Sequence, residues 1–218
     1  MIKLNVEKKY DNEHEFHYEL VLDEGSMICI QGKSGSGKTT LLNTLGLIDP
    51  HFKGEYFLSI DDITYNIHEL KQKERKKIRG KDIGFVFQDN NLLEYLNVYE
   101  NIILPFNFQK KEINHEEIKE IMTSLGIESL KDRKVTTLSG GEKQRVAIAR
   151  CLALKNHLLL ADEPTGSLDE YNADLVMNLF KEINEKYHLT IVLVTHSTRY
   201  NHLFQKCYMI EEGKLCLH

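Results

Sequence analysis

Gly32-Lys33-Ser34-Gly35-Ser36-Gly37-Lys38-Thr39 is the stretch on which the fold of this chain turns. It follows an apolar, strand-like run, Met27–Gln31, and precedes a run of helical character, Thr39–Leu47. Glycines let a loop bend until several backbone N–H groups face one concavity, and the following helix points its positive end into the same space. Lys38 adds a cation for β- and γ-phosphates, and Thr39 a hydroxyl for a divalent metal. The pattern predicts a phosphate cradle at the end of a strand, and hence an α/β core.

Such a core needs acids on a neighbouring strand. Leu158-Leu159-Leu160-Ala161-Asp162-Glu163 provides them: a short all-apolar strand, covered on both faces, ending in two carboxylates. The end of a parallel strand is where ligands gather in open sheets. Asp162 suits a metal, directly or through its water, and Glu163 suits the polarisation of an attacking water. A second anion-binding helix tip stands at Leu138-Ser139-Gly140-Gly141-Glu142, with Ser139 as N-cap and glycines baring the backbone. One chain needs one cradle, so the second suggests that each nucleotide is clamped by two molecules.

Working outward, Ile2–Val6, Phe16–Leu22, Glu55–Ile60 and Ile83–Phe87 read as strands. Asn97-Val98-Tyr99-Glu100 is a capping box that opens a helix. Asn114 caps another, with Ile118, Ile121, Met122 and Leu125 on one face and Gly126 as its stop. Val176, Leu179, Phe180 and Ile183 form a further helical stripe. Thr190–Val194 is a second buried strand, and Met209–Leu217 a hairpin turning at Glu212-Gly213. The expected organisation is one domain over 1–218, with a core of 1–88 and 136–218 and a helical lobe at 89–135.

Composition narrows the partners. Hydrophobic residues are 41% and charged residues 28%, with a formal charge of −5, so no global basic field points to nucleic acid. The basic run Lys71–Lys81 contains Glu74 and reads as a solvated helix face. No apolar stretch approaches the roughly 20 residues of a membrane helix, and the N-terminus has no secretory h-region. The four cysteines form no CxxC pair and read as reduced. Neither Cys216-x-His218 nor His14 with His17 reads as a metal site, since the two histidines fall on opposite faces of a strand.

Taken in order, these residues resemble the ATP-binding-cassette (ABC) family over nearly the whole chain. GKSGSGKTT resembles its Walker A motif, Gln88 in FVFQDNNLL its Q-loop, and LSGGE at 138–142 its signature. LLLADEP is similar to Walker B, SLD at 167–169 to the D-loop, and His196 in LVTHS to the switch histidine. The resemblance implies a P-loop NTPase core with a mainly parallel sheet, N-terminal antiparallel strands and an inserted α-helical subdomain. It also implies ATP and Mg²⁺ as cofactors, and a homodimer formed on ATP binding.

By the same resemblance, Gly32, Ser34, Gly35, Ser36, Gly37, Lys38, Thr39 and Thr40 hold phosphates, and Thr39, Gln88 and Asp162 hold Mg²⁺. Glu163, His196, Gln88 and Lys38 are implied as catalytic. Ser139, Gly140 and Gly141 grip the partner's ATP, and Asp169 crosses the dimer interface. Tyr10, or failing it Phe16, would stack on adenine. The signature ends in Glu142 where Gln is commoner. FVFQDNNLLEYLNVYENIILP and ADEPTGSLD resemble the lipoprotein-release, macrolide-efflux and peptide-antibiotic-defence branch, whose ATPases drive a separate membrane permease. Residues 90–105 would receive that permease, with Leu92, Leu93, Tyr95 and Leu96 as exposed apolar contacts. A nucleotide-dependent regulator with little turnover and a soluble ABC ATPase are the alternatives. Against the soluble type, the chain has neither a coiled-coil interruption nor a second cassette.

Overall fold

The computed structural model describes residues 1–9 and 15–218. Tyr10 and His14 therefore lie outside the described residues. Strands β1 (Ile2–Lys9), β2 (Glu15–Leu22), β3 (Met27–Gln31), β4 (Lys53–Ile60), β5 (Ile63–Asn66), β6 (Ile83–Phe87), β7 (Leu158–Asp162), β8 (Thr190–Val194), β9 (Lys206–Glu211) and β10 (Lys214–Leu217) form one sheet. Its spatial order is β5-β4-β1-β2-β10-β9-β3-β8-β7-β6. From β9 through β3, β8 and β7 to β6 every pairing is parallel. The pairings β5–β4, β4–β1, β1–β2 and β10–β9 are antiparallel.

The burial pattern explains the division. β1 alternates, with Ile2, Leu4 and Val6 buried and Lys3, Asn5 and Glu7 exposed, as in a sheet with one wet face. β3 and β8 are buried at every position, because helices cover both faces there. Alternate residues of the central strands feed two cores. Leu159, Ala161, Ile191 and Leu193 join one, and Leu158, Leu160, Val192 and Val194 the other.

The helices are α1 (Lys38–Leu45), α2 (Gln72–Asp82), α3 (Val98–Gln109), α4 (His115–Ser124), α5 (Gly140–Ala153) and α6 (Glu170–Tyr187). α1 packs in the second core through Leu41, Leu42 and Leu45, whereas α3, α4, α5 and α6 pack in the first. Asn97 caps α3 with a complete capping box through Glu100, and Asn114 caps α4. The stripe Ile118, Ile121 and Met122 is buried as its spacing requires. The basic run forms α2, which buries only Ile78 and Asp82. β5 went unread in the sequence: it spans four residues, and none of them is buried. No helix among the described residues is long and apolar enough to cross a membrane.

The segment leading into α3 departs from expectation. Of Leu92, Leu93, Tyr95 and Leu96, Tyr95 alone is fully exposed, at 71%. Leu92 packs against the first core, and Leu93 and Leu96 are half-buried. The cause is Asn101, a fully buried amide that accepts from Leu93 N–H at 2.8 Å and donates toward the carbonyls of Leu93 and Asn97. These bonds draw the segment onto α3.

Candidate functional site

Four loops leave the sheet at one edge: the turn after β3, the turn after β6, the Asp162–Glu163 end of β7 and the segment after β8. Register makes them neighbours, because Phe87 pairs with Asp162, Asp162 with Val194, and Val194 with Ile30. The edge holds a cleft of about 860 Å³. Ser34, Gly35, Gly37, Lys38, Thr39, Thr40, Asp162, Glu163 and His196 line it.

The loop 32–39 has the geometry of an anion cradle. Gly37 occupies the N-cap position of α1 with φ 103°, and Gly35 has φ 76°. Around Gly37 there is also no room: a Cβ would lie 2.5 Å from the Tyr18 hydroxyl and 2.6 Å from the Phe16 ring. Tyr18 donates to the Gly37 carbonyl at 2.9 Å, which ties the loop to β2. The Lys38 ammonium is folded into the loop, donating to the carbonyls of Gly32 at 2.8 Å and Lys33 at 2.9 Å. The Ser36 hydroxyl is buried without a partner among the described residues. A buried ammonium resting on neutral carbonyls, beside an orphaned hydroxyl, fits an incoming triphosphate, which offers both groups better partners.

Of the three residues expected to hold a metal, Thr39 and Asp162 meet. Thr39 donates to Asp162 Oδ2 at 3.2 Å, so a hydroxyl and a carboxylate converge at the mouth of the cradle. Burial raises the Asp162 pKa above the usual carboxylate range, and the Glu163 charge adds to it; Thr39 and Lys38 act in opposition. This oxygen pair, beside the phosphate loop, suits the preference of Mg²⁺ for one or two protein oxygens plus phosphate.

Glu163 stands in the left-handed region with φ 45°, and its N–H donates to the Val194 carbonyl at 2.9 Å. Left-handed backbone at a non-glycine costs on the order of 1–3 kcal/mol and marks positions where side-chain aim matters. Here it turns the carboxylate toward His196, whose Nδ1 lies 3.1 Å from Glu163 Oε2. Gln88 is exposed in the turn after β6 and does not line the cleft; its amide faces the turn at Gly166. Gly32 and Ser36 serve the loop's interior, not the cleft wall.

Ser139, Gly140, Gly141 and Asp169 are also absent from the cleft wall. Ser139 caps α5, and Asp169 caps α6, accepting from Asn172 N–H at 2.9 Å. These two caps belong together: a Cβ on Gly140 would meet Leu168 at 2.8 Å, and one on Gly141 would meet Asn172 at 3.3 Å. Phe16, expected only as a fallback, lines the cleft and stacks on Tyr18 with ring centroids 5.8 Å apart. Asn43 also lines it and was missed. The signal for Asn43 was helical spacing, since it stands four residues after Thr39 on α1.

Comparison with known proteins identifies the family. The family model described as ABC transporter matches residues 17–166. The chain is 38% identical over 199 residues to the bacitracin export ATP-binding protein BceA of Halalkalibacterium halodurans, covering 90% of this chain and 77% of that one. It is 36% identical over 222 residues to the lipoprotein-releasing system ATP-binding protein LolD of Francisella tularensis subsp. holarctica, covering 97% and 93%. Among solved structures, the dimeric ABC cassette MJ0796 superposes with a TM-score of 0.82 at 37% identity, covering 99% of this chain and 96% of that one. A second dimeric structure of MJ0796, in a post-hydrolysis state bound to ADP and Pi, gives the same TM-score at 36% identity and the same coverage. These matches show that this chain belongs to the ABC transporter family as an ATP-hydrolysing cassette.

Proposed function

We propose that two copies of this chain close over two molecules of ATP and drive a separate integral-membrane permease in export or mechanotransmission of a peptide, lipoprotein or antibiotic. One observation carries the reading. The two anion-binding surfaces are separate within one molecule: the cleft wall includes Lys38 and Glu163 but not Ser139. A second copy is the natural source of the missing tip.

In that assembly Lys38 and the 34–40 loop hold the phosphates. Thr39 and Asp162 would hold Mg²⁺, which supplies positive charge against the phosphate oxygens, and Gln88 would join them by turning its amide away from Gly166. Glu163 takes the proton of the attacking water, and His196 holds the Glu163 carboxylate in line and reaches the γ-phosphate. Ser139, Gly140 and Gly141 donate to the partner's nucleotide, with Asp169 at the same interface. Phe16 flanks the base, and Tyr10 is the alternative. Residues 89–135 act as a lobe, and 90–105 receive the permease with Tyr95 as the exposed anchor. The permease holds the dimer at the inner face of the membrane. The names of BceA and LolD, as parts of an export and a release system, support this branch.

The test is dimerisation. Glu163→Gln keeps the shape of the cleft but removes the base, a change of about 10²–10⁴ in turnover. With MgATP it should run as a dimer on gel filtration, and Lys38→Ala should remain a monomer that binds no ATP analogue. A Glu163→Gln chain that stays monomeric under saturating MgATP refutes the two-sided clamp.

A further inference from the structure

The tip of α5 already holds an anion. The Ser139 N–H donates to Glu142 Oε2 at 2.7 Å, and the Ser139 hydroxyl donates to the same oxygen at 2.8 Å. The Glu142 N–H returns a bond to Ser139 Oγ at 3.3 Å. The Ser139 backbone and hydroxyl bonds hold the Glu142 carboxyl below the usual range, and Arg133 and Arg145 add to this against a little burial. The carboxylate is thus charged near neutrality, at a helix N-terminus.

A hydroxyl has one proton to donate. While Ser139 gives it to Glu142, it cannot give it to a phosphate. The carboxylate also uses the same positive helix end that an incoming phosphate would use. We propose that Glu142 is a positioning residue acting through Ser139: it holds the serine hydroxyl until a second copy's nucleotide displaces it, and so sets the ATP affinity of the dimer. The inference rests on the reading of Ser139 as a grip on the partner's ATP. Glutamine at this position closes the same capping box without the charge. A purely structural Glu142 would therefore be replaced by glutamine at a small cost in stability and without consequence for dimerisation.

The experiment compares Glu163→Gln with Glu163→Gln/Glu142→Gln by sedimentation in MgATP. A charge at a helix terminus contributes up to about tenfold in an equilibrium constant, and with two tips in the dimer the double variant should dimerise tighter by up to about a hundredfold. In the otherwise native chain, Glu142→Gln should lower the KM for ATP, with the change in KM exceeding that in kcat, while the melting temperature falls by no more than roughly 2–6 °C from the lost helix-end charge. Equal or weaker dimerisation of the double variant, beside a dimerising Glu163→Gln, overturns this inference alone. Failure of both to dimerise overturns the clamp and the inference together.

Discussion

Replacing Gly37 by alanine separates two contributions that glycine makes to the phosphate loop. The backbone there has φ 103°, and the added Cβ would lie 2.5 Å from the Tyr18 hydroxyl and 2.6 Å from the Phe16 ring. Strained backbone of this kind costs about 1–3 kcal/mol, and overpacking a filled site costs about 1–3 kcal/mol more. Neither aromatic gives way easily. Tyr18 is fully buried and bonded to the Gly37 carbonyl, and Phe16 is stacked against it. The sum, about 4 kcal/mol, corresponds to a fall in Tm of roughly 8–16 °C in a chain of this size. Gly35→Ala is the internal control. Its φ is 76°, but nothing lies within 4 Å of the added Cβ, so only backbone strain remains. That strain is about 1–2 kcal/mol, or roughly 2–8 °C. Thermal unfolding of the two variants side by side measures the difference. If both melt together, the aromatic floor beneath Gly37 is not what constrains the loop.

Asn101→Ala should release the 91–97 segment from α3. Leu93 N–H and C=O would lose their buried partner, a loss of roughly 2–4 kcal/mol, and amide exchange at Leu93 should speed up relative to the rest of the chain. Protection unchanged at Leu93 would contradict this. Lys8 is 3% exposed and lies 2.7 Å from Asp49 Oδ2. Burial alone would raise the Asp49 carboxyl, but the bonds from Lys8 and His51 outweigh it and hold the pKa below the usual range. A depressed pKa contributes stability above the ordinary carboxylate pKa near 4 and loses it as pH falls through the folded value. Asp49→Asn should therefore cost about 1 kcal/mol in urea unfolding near pH 7, discounted for the half-exposed carboxylate, and progressively less as pH falls below the ordinary carboxylate value. A gap that does not shrink on acidification would count against the pairing.

Several features were legible because they are local. The capping box at Asn97 and the N-cap at Ser139 depend on residues three apart, and both close as their spacing requires. The buried strands β7 and β8 carry their own apolar signature, and the loop 32–39 declares its glycines. Exposure was less legible. Leu92 and Tyr95 are three residues apart, but Asn101 draws the segment inward, and of Leu92, Leu93, Tyr95 and Leu96 only Tyr95 is fully exposed. A single buried amide made that choice, and no periodicity carries it.

The order of residues by itself determined the phosphate loop, the acid-tipped strand and the second helix tip, because each is a short run whose backbone chemistry acts within a few residues. The tertiary structure alone decided which of them meet. Strand register brings Lys38, Asp162, Glu163 and His196 to one cleft and leaves Ser139 outside its wall. The left-handed turn of Glu163 and the aromatic floor under Gly37 arise the same way, from contacts between strands far apart in sequence. Such contacts are set by packing across the sheet, and packing is a property of the whole fold.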